Sequence, residues 1–112
     1  MHRDVRHQAD SIMSAYCERR VPLHVRNQVR MHHEIRGDAV TLFEDRPVWK
    51  NPKEWSHMPI AQVRFDKGTA KWTLYCADRN SKWHLYTIVR PSSNLERLIK
   101  AIDEDPTGIF FG

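Results

Sequence analysis

The chain has 112 residues, enough for one domain with one hydrophobic core and too few for a catalytic domain joined to a regulatory one. Hydrophobic residues make up 40% of it and charged residues 29%, which excludes a wholly disordered chain. The 18 basic and 14 acidic residues give a net charge of +4, an excess that only slightly favours an anionic partner.

No apolar run approaches the roughly 20 residues that span a bilayer. The segment Met1–Asp10 is charged, whereas a secretory signal contains an apolar stretch. We therefore expect a single cytoplasmic domain over residues 1–112, with no membrane partner. Cys17 and Cys76 form no spaced motif, and they are interpreted as free, partly buried thiols, with a disulfide as the open alternative.

The first predicted element is an amphipathic helix that ends before Pro22, which lacks an N–H group. Its apolar residues recur at helical spacing: Val5, Ala9, Ile12, Met13 and Tyr16. A half-buried strand follows, with apolar residues at odd positions from Val25 to Ile35. A tight turn at residues 37–38 then pairs Ile35 with Val40 and His33 with Leu42.

Residues 46–59 contain three prolines and two tryptophans, Trp49 and Trp55, and show no periodicity. This pattern predicts a long ordered loop, and such loops are often functional. We expect the tryptophans to anchor the loop on the core. The alternative is that they anchor a binding partner.

Two further turns, at residues 66–69 and 78–82, separate predicted strands at 60–65, 70–77 and 83–89. Hairpin pairing then places Val63 opposite Trp72, Ala61 opposite Leu74, and Cys76 opposite Leu85 on the inner face of the sheet. The sheet is therefore either a five-stranded meander or two hairpin units joined by the long loop.

The last predicted element is a helix that begins at a capping box formed by Ser93 and Glu96. Its apolar stripe consists of Leu95, Leu98, Ile99 and Ile102, and Pro106 and Gly108 end it. The apolar ending, residues 109–112, is expected to dock on the core or on a partner. The predicted fold class is α+β: an N-terminal helix, an antiparallel sheet of about five strands and a C-terminal capped helix.

Short strings spread over nearly the whole chain carry a family resemblance. They are Arg20–Pro22, Val40–Glu44 with Arg46 and Pro47, Trp72–Tyr75, Asp78–Asn80, Lys82–Tyr86 and the ending Asp105–Gly112. In this order they resemble a family of short bacterial proteins known only as a domain of unknown function (number 3024). The resemblance implies a stand-alone small bacterial protein and brings no activity, substrate or catalytic residue. Cys76 stands where the family pattern favours an aromatic residue, which argues against a family-wide chemical role for this thiol.

The outer face of the second hairpin unit is the most informative predicted surface. It combines Gln62, Arg64, Lys71, Thr73, Tyr75, His84 and Tyr86, with Tyr75 opposite Tyr86 and Arg64 opposite Lys71. Aromatic rings can stack on bases while cations neutralise phosphates, so this face suits single-stranded nucleic acid. The arginines 26, 30 and 36 would extend it. An ordinary solvated sheet face is the alternative, and it accounts for the same residue types.

The seven histidines show no metal-ligand spacing, so neither a metal site nor a cofactor is predicted. His32 and His33 are adjacent in a strand and point to opposite faces. A site assembled from distant residues, such as His33 with Cys76, stays open. A nucleophilic thiol is disfavoured because Cys76 is predicted to face inward and His84 outward.

We expect a small binding module rather than an enzyme, with RNA or DNA bound through a basic and aromatic sheet face. The residues assigned to that face are Arg30, Arg64, Lys71, Tyr75, His84 and Tyr86. One alternative is a protein-interaction or homo-oligomerisation module that uses Trp49, Trp55, Phe110 and Phe111. The other is a small metal-independent nuclease built from Arg64, Lys71, Tyr75, His84 and Tyr86.

Overall fold

A computed structural model describes residues 1–112 as two helices and one five-stranded sheet. Helix α1 spans Arg3–Arg20 and helix α2 spans Leu95–Glu104, with a short 3-10 turn at Leu23–Val25. The strands are β1 (Arg30–Arg36), β2 (Ala39–Val48), β3 (Asn51–Asp66), β4 (Lys71–Ala77) and β5 (Trp83–Leu85). Each strand pairs antiparallel with the next one along the chain, so the sheet is a meander in the order β1-β2-β3-β4-β5. The predicted α+β fold is confirmed.

Both helices pack on one face of the sheet, which we call the inner face. The buried core joins α1, strands β2 to β4, and α2 in one cluster of 17 residues. Its largest fully buried side chains include Tyr16 and Met13 from α1, Leu42 and Leu74 from the sheet, and Leu98 from α2. The opposite side, the outer face, is left without a covering element. Neither helix is long and apolar enough to cross a lipid bilayer.

The first hairpin has the predicted register, with Ile35 opposite Val40 and His33 opposite Leu42. The strand before it is shorter than predicted, because Val25 lies in the 3-10 turn and β1 begins only at Arg30. The Arg26 side chain closes this turn by donating from Nε to the carbonyl of Val21, 3.1 Å away. The alternation that begins at Val25 therefore starts in a turn.

The predicted loop over residues 46–59 is wrong. Strands β2 and β3 continue through this segment as a long hairpin with its turn at residues 49–50. The hairpin tolerates its prolines because its tip has only two strands and a bulge interrupts the pairing further along. At both places some backbone positions need no N–H donor for an inter-strand hydrogen bond. The pairing shifts between Leu42 and Phe43, which leaves Ile60, the residue after Pro59, as the extra residue of a β-bulge.

The second half of the sheet contains the predicted strands with a different register, and its last strand ends at Leu85 rather than at residue 89. Val63 lies opposite Leu74 and Ala61 opposite Cys76, a shift of two residues that preserves the faces. In contrast, β5 is shifted by one residue, so Cys76 lies opposite His84 and Tyr75 opposite Leu85. A one-residue shift reverses the faces of a strand. His84 and Tyr86 therefore point to the inner side, and their predicted outward orientation is wrong.

The C-terminal helix begins one residue later than predicted. Asn94 is the N-cap, and its Oδ1 accepts the backbone N–H of Glu96 at 3.1 Å. Ser93 is therefore outside the cap.

The chain ending docks on the core, where the Phe110 ring lies 4.9 Å from the Tyr86 ring and the Arg20 guanidinium lies over Phe111. Phe110 is buried, so its predicted alternative role at a partner surface is not supported.

Candidate nucleic-acid interface

Two cation–aromatic pairs lie on the outer face of the sheet. The Arg30 guanidinium of β1 lies 4.0 Å from the ring centroid of Trp55, and the Arg64 guanidinium of β3 lies 3.8 Å from that of Tyr75. Strand alternation places all four side chains on the side away from the helices. Both pairs present a flat cation stacked on a flat ring, a unit that can take a nucleobase on its free side.

A row of hydrogen bonds fixes the second pair. The Gln62 amide nitrogen donates to Thr41 Oγ1 at 2.9 Å, and the Gln62 amide oxygen accepts from Arg64 Nε at 2.6 Å. Thr41 and Gln62 are cross-strand neighbours, so the first bond runs from β3 to β2, whereas the second runs along β3 from Arg64 to Gln62. Tyr75 lies opposite Gln62 on β4. Arg64 is thus held over Tyr75 before any ligand binds, which lowers the entropy cost of binding.

A depression of about 350 Å³ also lies on the outer face, between residues of β1, β2, β3 and β5. Aromatic side chains of Phe43 and Trp83 line it, together with Glu34, Arg36, Thr41, Pro59, Gln62 and Ser81. The His32 ring stacks on Phe43 at 4.8 Å with the planes 5° apart. The outer face therefore offers further ring surface that sequence analysis did not assign.

The structure brings some of the predicted nucleic-acid residues together and separates the others. Arg30, Arg64, Lys71 and Tyr75 share the outer face, with Lys71 at its end opposite Asp66. His84 lies on the other side of the sheet, where its Nε2 contacts Asp78 Oδ2 at 2.8 Å.

Tyr86 is buried in the core against Phe110, and its N–H pairs with the Leu74 carbonyl. The face reversal of β5 removes both His84 and Tyr86 from the predicted interface. For the same reason the residue set predicted for a nuclease is not assembled on one face.

The two tryptophans of the β2–β3 hairpin differ in their environments. Trp55 is half-buried beneath Arg30 and belongs to the outer face. Trp49 is 85% exposed at the hairpin turn, so its predicted docking on the core is wrong. The sequence does not show Trp55 to be an outer-face residue, because prolines 47, 52 and 59 make the segment resemble a loop.

Asp45 and two histidines form a polar cluster on the same face. Oδ2 of Asp45 lies 2.5 Å from His32 Nδ1, and Oδ1 lies 2.6 Å from His57 Nδ1. An ionised carboxylate only accepts, so each ring donates its Nδ1–H. These residues, from β1, β2 and β3, are the only group whose ligand atoms are arranged to hold a metal ion.

The prediction that His32 and His33 point to opposite faces is confirmed, because His33 turns inward to Asp10 Oδ1 at 2.7 Å.

This cluster is not evident from the sequence, because its members come from three strands and the segment that contains His57 resembles a loop. One signal was present in the sequence. Aspartate is depleted in strands, and Asp45 lies on the same face of β2 as Phe43, two residues further along the strand. An aspartate at such a position indicates a partner on a neighbouring strand.

The chain matches the family described as "Domain of unknown function (DUF3024)" over residues 2–112. It belongs to this family. The match confirms the resemblance seen in the short strings from Arg20 to Gly112. No curated protein and no solved structure is significantly similar to the chain. The description of DUF3024 names no activity, ligand or site residue.

The thiols of this DUF3024 domain are both free. Burial, followed by the negative charge of Asp45, raises the pKa of Cys17 to about 11, so its thiolate is scarce at neutral pH. Cys76 and His84 are opposite each other, and their predicted separation on two faces is wrong. The thiol nevertheless contacts the His84 carbonyl oxygen at 3.6 Å, while the ring contacts Asp78. No histidine base therefore activates either cysteine.

Proposed function

We propose that this domain binds single-stranded nucleic acid on the outer face of its sheet. The observation that carries the proposal is the placement of two cation–aromatic pairs, Arg30 with Trp55 and Arg64 with Tyr75, on a face that no helix covers. Bases of a single strand are unstacked and can lie on such rings and guanidinium planes. A duplex hides those base faces, so we expect weaker binding of duplex DNA.

The dimensions of the face suit several nucleotides. Trp55 and Gln62, the latter beside Tyr75, are both on β3 and are seven residues apart, which corresponds to about 20 Å along a strand. The depression lined by Phe43 and Trp83 takes in residues of β1, β2, β3 and β5, so it lies across the same face. A single-stranded nucleic acid that crosses this face would contact aromatic rings at both ends of the face and cations beside those rings. That length agrees with sites of at least about four nucleotides in single-strand-binding sheets.

The charges of the face favour the backbone of such a ligand. Arg30, Arg36, Arg64 and Lys71 lie there, while the exposed carboxylates are Glu34 and Asp66. If about three phosphates are neutralised, the affinity falls with a slope of about −2 in log K against log salt. A rise from about 50 mM to about 200 mM salt would then weaken binding by roughly tenfold.

The proposal is tested by fluorescence anisotropy with a labelled single-stranded RNA of mixed sequence, the matching DNA and the duplex, each at both salt concentrations. Loss of one base–ring stack costs about 1–3 kcal/mol, so Tyr75→Ala should weaken RNA binding by roughly tenfold or more. Arg64→Ala should weaken it to a similar degree.

The matched control is Arg97→Ala, which changes net charge equally but lies exposed on α2 at the other side of the sheet. It should change the affinity less than about twofold. Absence of binding at low salt, or equal losses in Arg64→Ala and Arg97→Ala, would reject the outer face as the site.

A second candidate function rests on Trp49. This side chain is 85% exposed at the end of the β2–β3 hairpin, where neither β1 nor β4 supports the two strands. An exposed tryptophan on a projecting hairpin is typical of an anchor for a protein partner or a second copy of the chain. Light scattering over a range of protein concentrations tests self-association. A dimer that becomes monomeric in Trp49→Ser would support this function, and a monomer at all concentrations would exclude the second-copy form.

A further inference from the structure

Asp45 is the one charged residue that is buried, with 6% of its surface exposed. Its carboxylate contacts two imidazole rings and no lysine or arginine. Arg30 lies directly opposite on β1, but its guanidinium is stacked on Trp55 and its Nε donates to the Arg26 carbonyl at 2.9 Å. The buried carboxylate therefore has no permanently charged partner.

A buried carboxylate costs several kcal/mol unless a positive charge or strong hydrogen bonds compensate it. The two imidazole rings supply hydrogen bonds, but neither carries a permanent positive charge to balance the negative charge of the carboxylate. A divalent cation would compensate that charge and coordinate all three side chains. We propose that His32, Asp45 and His57 form a binding site for a divalent transition-metal ion, with Zn²⁺ as the best-suited ion.

The donor atoms suit this ion. Two imidazole nitrogens and one carboxylate oxygen form a ligand set that Zn²⁺ commonly uses, whereas Mg²⁺ and Ca²⁺ prefer oxygen ligands alone. Each ring would bind the ion through Nδ1 in the tautomer that carries its N–H on Nε2, so metal bonds would replace the two hydrogen bonds to Asp45. Three protein ligands leave a fourth position for water or for another small ligand from the solvent. Because the cluster lies on the outer face, with the His57 side chain 56% exposed, that position would be accessible.

The distances suit a single ion after small rotations. Tetrahedral coordination at about 2.1 Å places ligand atoms about 3.4 Å apart. The Asp45–histidine contacts are shorter, at 2.5 Å and 2.6 Å, and all ligand atoms of the cluster lie within 4.8 Å of one another. Side-chain rotations that move the ligand atoms by roughly one ångström would therefore form the site without movement of the strands.

Neighbouring groups hold the ligands in place. The His32 ring is stacked on Phe43, and the Glu34 carboxylate lies 3.7 Å from His32 Nε2. A hydrogen bond from the second ring nitrogen to a carboxylate orients a metal-bound histidine, and Glu34 is less than about 1 Å from forming one. The His57 ring meets His32 edge to face, with the centroids 5.4 Å apart. The three side chains are thus positioned from three adjacent strands of a rigid sheet.

The test is calorimetric titration of tag-free, metal-stripped protein with Zn²⁺, followed by thermal unfolding with and without the ion. We expect one equivalent to bind and to raise the unfolding temperature, since an ion that binds only the folded state stabilises it. Asp45→Asn keeps the shape of the side chain and removes the charge. His57→Gln removes one ligand at a largely exposed position, so it should fold even if Asp45→Asn does not. Each variant should weaken Zn²⁺ binding by at least about tenfold.

The matched control is His84→Gln, which removes a histidine from another carboxylate pair, that with Asp78. It should bind Zn²⁺ like the unmodified protein. The proposal is overturned if no saturable binding occurs, or if His57→Gln binds as tightly as His84→Gln, because the ion would then occupy another position. Neither outcome depends on nucleic-acid binding.

Discussion

At the scale of single residues, the two buried tyrosines of the core differ in one hydrogen bond. Tyr16 donates its hydroxyl to Asp103 at 3.1 Å, which links α1 to α2, and burial together with the Asp103 charge raises its pKa. Tyr86 is equally enclosed, but its hydroxyl oxygen has no hydrogen-bond partner. Its contribution to stability therefore comes from the ring, which packs on Phe110.

We predict that Tyr86→Phe leaves the free energy of unfolding unchanged or raises it by up to about 1 kcal/mol, because an unpaired buried hydroxyl costs free energy. Tyr86→Ala removes the whole ring and should cost about 3–5 kcal/mol. Urea unfolding followed by circular dichroism measures both. Tyr16→Phe is the control and should be destabilising by about 1 kcal/mol because a real hydrogen bond is lost. A clear loss of stability in Tyr86→Phe would mean that this hydroxyl is paired in solution.

At the scale of elements, the start of α2 shows how a one-residue difference changes which side chain matters. The string Ser93 to Glu96 has the composition of a capping box. In the structure Ser92 Oγ accepts the N–H of Asn94, and Asn94 Oδ1 accepts the N–H of Glu96. Ser92 is also bridged to Trp72 of β4 through two backbone hydrogen bonds. This bridge sets where the chain leaves the sheet, and the helix begins accordingly at Leu95.

The expected consequence is a difference between two adjacent alanine variants. Asn94→Ala should reduce the free energy of unfolding by about 1 kcal/mol, because the cap hydrogen bond is lost. Ser93→Ala should change it by less than about 0.5 kcal/mol, since that side chain is exposed and bonds to nothing. Chemical unfolding of both variants under identical conditions gives the comparison. The reverse order of effects would restore the capping box as predicted from the sequence.

At the scale of the whole molecule, the C-terminal segment ties the two helices and the sheet end together. Asp105 adopts a left-handed conformation, with φ of 44°, directly after α2. Its carboxylate accepts the N–H groups of Phe110 at 3.0 Å and Phe111 at 2.8 Å. These bonds place Phe110 in the core and Phe111 under Arg20 of α1. An acidic residue at a helix C-terminus opposes the helix dipole, so its role is to hold the tail.

Acid should release this tail. Burial tends to raise the pKa of Asp105, but the hydrogen bonds from the tail amides outweigh it and lower the pKa below its ordinary value. The ionised Asp105 carboxylate therefore stabilises the folded protein fully above the ordinary carboxyl pKa of about 4, and this stabilisation is lost as pH falls through the lowered pKa. Asp105→Asn should be less stable than the unmodified protein by about 1–2 kcal/mol at pH 7. The difference should shrink towards pH 2, as measured by thermal unfolding across that range, and a constant difference would contradict it.

The local pattern of the sequence determined the helices, the first hairpin and the positions of most strands. Apolar spacing alone defines α1 and α2, and alternation with the turn at Gly37 pairs Ile35 with Val40, because these features depend on neighbouring residues. The prolines hid half of β3, since proline is disfavoured in strands unless the neighbouring ladder position is free. Local pattern does not show whether that position is free.

Only the tertiary structure decided the faces of β5 and the composition of the site. The face of a strand depends on register, and one residue in the turn at 78–82 moved Tyr86 from the outer face into the core. The cluster of His32, Asp45 and His57 depends on three strands aligned side by side. Its members are 12 and 13 residues apart in sequence. Spacing along the chain could not predict it, because the distances that bring these side chains together run across the sheet.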